Sequence, residues 1–135
     1  NFNDIKSYEF INRFISNEEI VRLIKECDIV VLPYTSASQS GVPMSVYAFN
    51  KPIVASNIAG LKEVIDHLQT GILVDNMNAV SLSESIEMLL SDTDLRNQMA
   101  KNIKKKYSTG DFSWSNIGKQ TLSFYKKQIE KNKSV

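Results

Sequence analysis

The amino-acid sequence predicts an α/β fold built on a parallel, Rossmann-like sheet, and three observations predict it. The runs "IVVLP", Ile29 to Pro33, and "PIVAS", Pro52 to Ser56, are apolar almost without interruption, and continuous rather than alternating apolarity marks strands covered on both faces, as parallel strands are. Segments of helical length lie between the predicted strands and give a β-α-β-α-β order, the connectivity of a parallel sheet. The remainder of the chain has helical apolar spacing.

Taken in order, "YEFINRF" from Tyr8 predicts a first strand. "ISNEEIVRLIKECD" follows as a helix with a capping box, in which Ser16 accepts from the amide of Glu19 and Glu19 reaches back to the amide of Ser16. Ile20, Leu23, Ile24 and Cys27 then share one face. "IVVLP" is the second strand, "VPMSVYAFN" a short helix and "PIVAS" the third strand. "GLKEVIDHLQTG" supplies a brief helix and a turn at Thr70-Gly71, and "ILV" closes with a fourth strand. "AVSLSESIEMLLSD" groups Ile86, Leu89 and Leu90, and "DLRNQMAKNIKKKY" spaces Leu95, Met99 and Ile103 four apart. "FSWSNIGKQTLSFYKKQIEK" is a last amphipathic helix carrying Trp114, Ile117, Phe124 and Ile129, with Ser113 or Ser115 as its cap. No repeat or low-complexity segment interrupts this order.

Composition narrows the classes. The chain has 135 residues, 42% hydrophobic and 23% charged, as expected of one soluble domain with one core. A formal net charge of +1 argues against a nucleic-acid partner, which calls for a clear excess of Lys and Arg. The single cysteine, Cys27, cannot close an internal disulfide, which points to a reducing, cytoplasmic setting and to a small apolar role. No run of 18 apolar residues suggests a spanning helix, and "NFNDIKSYEF" lacks the apolar core of a signal peptide. Lys104-Lys105-Lys106 reads as a solvated helix face, with a patch for the inner membrane surface as the lesser reading. A start without methionine, ahead of a strand, suggests a piece of a longer protein.

Ligands of parallel α/β sheets bind outside the carboxyl ends of the strands. The loops from Tyr34 to Val42 and from Ser56 to Leu61 both leave strands at that edge and are expected to be neighbours. A helix starting near Gly41 would aim the amides of Gly41, Val42 and Met44 into the crevice, a setting for an anion such as phosphate; the alternative is that Ser40 only caps a core helix. His67 is the one histidine, and no H-E-x-x-H, C-x-x-C or G-x-S-x-G occurs, so metal hydrolysis and an internal nucleophile-histidine arrangement have little support. No metal and no cofactor are expected. His67 reads as a helix-end residue before a turn.

"FINRFISNEEIVRLIKECDIVVLPY", "QSG", "YAFNKPIVASNIAGLKEVIDHLQTGILV" and "FSWSNI" together resemble the carboxyl-terminal, donor-binding domain of the GT-B glycosyltransferases of family 4, over about Tyr8 to Tyr125. The resemblance implies the second half of that Rossmann-like domain followed by carboxyl-terminal helices: residues 1–135 are a partial nucleotide-sugar binding domain, with 111–131 its closing helix. It implies a retaining transferase that takes a sugar from a nucleotide diphosphate without a metal, commonly in bacterial surface polysaccharide synthesis. A saccharide or lipid-linked acceptor is held by an amino-terminal domain that this chain does not include. The half-domain with the basic residues that meet the leaving diphosphate is not included either.

In that family the loop after the "LPY"-like strand carries two glutamates around a glycine, with backbone amides on phosphate and carboxylates on sugar and ribose hydroxyls. Here Ser38 and Ser45 stand where the glutamates are expected, the two counts differing by one residue. The resemblance therefore assigns phosphate to the amides of Ser40, Gly41 and Val42, sugar or phosphate to Gln39, and ribose to Ser45, with Ser38 and Glu63 at matching positions. Glu63 is equally readable as a surface helix residue. A non-catalytic docking domain, either a degenerate transferase or receiver-like, is the alternative; Asp28 precedes its strand instead of following it, which disfavours a receiver. An incomplete sheet edge is further expected to make the isolated chain self-associate.

Overall fold

In the computed structural model, residues 9–75 and 78–133 are described, and they form a three-stranded parallel sheet wrapped by helices. The elements are α1 (Asn17–Glu26), β1 (Val30–Leu32), α2 (Val42–Tyr47), β2 (Ile53–Ser56), α3 (Ala59–Lys62), β3 (Gly71–Val74), α4 (Ala79–Ser91), α5 (Thr93–Ile103), a π-helical segment (Lys104–Thr109) and α6 (Trp114–Lys133). The strands lie in the order β1-β2-β3, with Val31 opposite Val54 and Val54 opposite Ile72.

Alternation along β2 divides the core. Ile53 and Ala55 face Ile24 of α1, Val46 and Tyr47 of α2 and Leu61 of α3, while Val54 faces the other way with Ile72, Val74, Leu89 of α4 and Met99 of α5. The predicted coverage on both faces is thus present, and all four residues of β2 are buried. Burying a side chain such as Leu61 or Leu89 stabilises the fold by about 2 kcal/mol. On α5 the spacing behaves as read: Met99 and Ile103 are buried and Leu95 packs beside them. On α4 only Leu89 is buried; Leu90 is exposed, one residue being a rotation of about 100°.

Several expectations need correction. Glu9 to Phe14 form no strand; Tyr8 lies outside the described residues. Among the described residues β1 pairs only with β2, so "YEFINRF" has no ladder to join, and Phe10 and Phe14 are exposed. Half of the capping box is present: the Glu19 amide donates to Ser16 Oγ at 3.3 Å, but the Glu19 carboxylate takes both guanidinium nitrogens of Arg13, at 2.7 and 2.8 Å. A bidentate ion pair outcompetes a single amide.

The turn before β3 runs over Asp66 to Thr70, not through Thr70-Gly71. Leu68 carries the left-handed φ of 61°, a conformation most side chains avoid. It is held because Thr70 Oγ1 accepts from the Asp66 amide at 2.9 Å and from the buried Tyr47 hydroxyl at 2.9 Å. Gly71 is needed for approach: a β-carbon there would lie 2.3 Å from the Ile53 carbonyl oxygen. Asn50, with φ 57°, ends the turn after α2 in a region that Asn tolerates.

At the carboxyl end, Ser113 rather than Ser115 caps α6, accepting from the Asn116 amide at 3.3 Å. The helix begins at Trp114 and reaches Lys133. Its apolar residues Trp114, Leu122, Phe124, Tyr125 and Ile129 are all more than half exposed. Lys104 and Lys105 are solvated as expected, whereas Lys106 is half-buried, paired with Asp66 at 2.5 Å and set against the rings of Tyr107 and Phe112. Cys27 is partly buried, and its thiol donates to the Ile24 carbonyl at 3.3 Å; burial pushes its pKa up. Among the described residues no helix is long and apolar enough to cross a membrane.

Candidate functional site

The loop after β1 and the loop after β2 meet, as the sheet rule requires. Gly60, in the first turn of α3, lies against the backbone of Ala37 and Ser38 so closely that a β-carbon would stand 2.6 Å from the Ser38 carbonyl oxygen and 2.8 Å from that of Ala37. Between the loops opens a cleft of ≈ 340 Å³ lined by Gln39, Ser40, Gly41, Gly60, Glu63 and Val64. That is the lower end of the range for small-molecule sites.

The expected residues divide. Gln39, Ser40, Gly41 and Glu63 line the cleft, and Val42 opens α2 beside it. Ser38 contributes its backbone to the contact with Gly60. The Ser45 hydroxyl turns back to its own helix, donating to the Gly41 carbonyl at 3.4 Å. Gly41 has φ −80° and ψ −14°, open to any residue, and a β-carbon there would meet nothing within 4 Å. Its role is therefore to leave space above the start of α2.

The Val42 amide is not free, since it donates to Ser40 Oγ at 3.3 Å, and Pro43 has no N–H to offer. Among the described residues the cleft's one ionisable lining residue is Glu63. An ionised carboxylate is acceptor-only, so it suits hydroxyl donors and repels phosphate. Gly60 and Val64 were not singled out from the sequence; the signal was the small pair Ala59-Gly60 directly after a buried strand.

A larger hollow of ≈ 460 Å³ is lined by Asp66, Thr70, Asn102, Lys105, Lys106 and Phe112, among others. It lies by the turn leading into β3, at the opposite edge of the sheet from where ligands of such folds bind. Its most enclosed cation is already answered. Burial alone would lower the Lys106 ammonium, but the hydrogen bond to Asp66 and its neighbours outweigh this and hold its pKa above the usual value. His67, near the same turn, accepts at Nδ1 from the Leu73 amide at 3.0 Å, a structural bond. Among the described residues no three His, Cys, Asp or Glu side chains gather as a metal site.

A parallel α/β sheet with paired strand-end loops over a polar cleft defines the class, a Rossmann-like α/β domain. Residues 6–106 match the model of the glycosyl transferases group 1, and the chain belongs to that family. It is 32% identical over 117 residues to an uncharacterized glycosyltransferase of Methanocaldococcus jannaschii, covering 87% of this chain and 30% of that protein. It is 38% identical over 104 residues to the N,N'-diacetylbacillosaminyl-diphospho-undecaprenol alpha-1,3-N-acetylgalactosaminyltransferase of Campylobacter jejuni, covering 71% of this chain and 27% of that one. Among solved structures it is similar to Anabaena HepE, crystallised in complex with UDP, with TM-score 0.69 and 23% identity over 78% of this chain and 29% of that chain. The chain thus spans less than a third of these relatives.

Proposed function

We propose that the chain is the donor-side part of a retaining glycosyltransferase that takes a sugar from a nucleotide diphosphate sugar, in surface polysaccharide synthesis. The observation that carries the reading is the contact of Gly60 with Ala37 and Ser38, which joins two strand-end loops into one cleft, in a chain of the glycosyl transferases group 1. The diphosphate sits over Gly41, where the missing β-carbon leaves the backbone approachable. Gln39 offers an amide to sugar or phosphate, Glu63 accepts from hydroxyls, and Ser45 remains the ribose candidate. An acceptor, saccharide or lipid-linked, is held by another part of the protein, and transfer needs both parts closed on the donor.

Titration of the full-length protein with UDP-, GDP- and ADP-sugars in a calorimeter tests the reading. Saturable binding of one of them, weakened by Glu63→Gln, is expected; no binding of any overturns it. The serines at 38 and 45 favour a second reading, a docking domain that has lost the donor site, which predicts a folded protein blind to all three.

A further inference from the structure

We propose that Asn57 and Asp75 are a positioning pair that sets the floor of the donor cleft, an inference that rests on the reading just given. β2 and β3 end side by side, and Asn57 and Asp75 are the first residues beyond them. The Asn57 amide continues the ladder by donating to the Val74 carbonyl at 3.0 Å. The Asn57 side-chain Nδ2 then donates to Asp75 Oδ1, a charge-assisted bond that extends the pairing one step past the sheet. Immediately afterwards Ile58 leads into α3, and Gly60, three residues on from Asn57, makes the backbone contact with Ala37 and Ser38 that closes the cleft.

The spacing makes position at Asn57 matter at Gly60. Three residues cannot absorb a displacement when the far end already touches backbone closer than a β-carbon allows. The other end of the same amide supports this role, because Asn57 Oδ1 is buried with no hydrogen-bond partner among the described residues. A buried amide oxygen left unmet calls for an explanation, and the bond that the other end makes to Asp75 supplies one. Neither side chain lines the cleft, so the pair acts through Gly60 and not on ligand.

The test measures affinity of the full-length protein for uridine, guanosine and adenosine diphosphates, with melting temperatures alongside. Asp75→Ala removes the acceptor from an exposed position and is expected to weaken binding about tenfold while melting near wild type. Asn57→Asp sets two carboxylates together and weakens it similarly. The exchanged pair, Asn57→Asp with Asp75→Asn, rebuilds the bond in reverse and is expected to return affinity to within about threefold of wild type. The exchange decides the matter even where a single variant melts early. Wild-type affinity in Asp75→Ala, or an exchanged pair as weak as Asn57→Asp, overturns the inference alone. A wild type that binds none of the three diphosphates removes the donor reading and this inference with it.

Discussion

Gly60 and Ser38 touch backbone to backbone: a β-carbon on residue 60 would come within 2.6 Å of the Ser38 carbonyl oxygen and 2.7 Å of its carbon. Neither atom is the end of a flexible side chain, so a larger residue at 60 must push the loop after β1 away. Gly60→Ala is expected to lower stability by about 1–3 kcal/mol and to weaken donor binding with it. Urea midpoints and calorimetry on the same preparations check this; unchanged values in both would mean the loops are not coupled.

Gly41 is the contrasting case. With ordinary helical torsions and open space around it, Gly41→Val leaves stability within about 0.5 kcal/mol. Donor affinity falls by more than about 1.4 kcal/mol, a factor of ten, since the new side chain stands between backbone and phosphate. Ser38→Ala, which keeps the backbone contact, should matter much less. Equal donor affinity in wild type and Gly41→Val returns the loop to a purely structural role.

A third expectation concerns alkaline pH. Burial pushes the Tyr47 phenol well above its ordinary value of 10.0, and burial raises Tyr107, its ring neighbour at 4.9 Å, as well. Both are held neutral in the folded chain while the unfolded chain ionises freely. A raised folded pKa gives a contribution that is whole below the unfolded value and lost as pH rises above it. Stability should therefore begin to fall near about pH 10, where the unfolded phenols ionise, and keep falling as pH rises toward the raised folded values, and Tyr47→Phe should shrink that fall. An identical fall in Tyr47→Phe assigns it to other groups.

How much of this was legible in the sequence follows from what each signal depends on. Leu95, Met99 and Ile103 could be read because helical spacing is local, and "PIVAS" because a doubly covered strand needs no polar alternation. "YEFINRF" misled because strand formation depends on a neighbour that a local pattern cannot show. Gly71 misled because a glycine before a strand suits a turn or a close approach equally, and here the Ile53 carbonyl decides. Within the cleft, Gln39 to Gly41 were visible from loop chemistry. Asn57 and Asp75 were not, because only the register of β2 with β3 brings them together.

The isolated chain is expected to self-associate at high concentration. Among the described residues the outer edge of β1 has no partner, and unpaired edges invite pairing; the apolar side of α6 is uncovered as well. Sedimentation at hundreds of micromolar should show concentration-dependent mass. A clean monomer there, with the amides of Glu9 to Phe14 protected from exchange, excludes it.

The wider winding from Lys104 to Thr109 also governs heading. Each hydrogen bond of a π-helix spans one more residue than in an α-helix, and the segment stops at Gly110, where a β-carbon would meet the Lys105 carbonyl oxygen at 2.4 Å. The bearing on which α6 leaves the domain is therefore fixed by a residue count, with Tyr107 anchored to the Val64 carbonyl as the reference mark. Removing a single residue from this stretch would turn the direction in which the chain leaves it toward α6, while a change of side chain at Ser108 would leave that direction as it is.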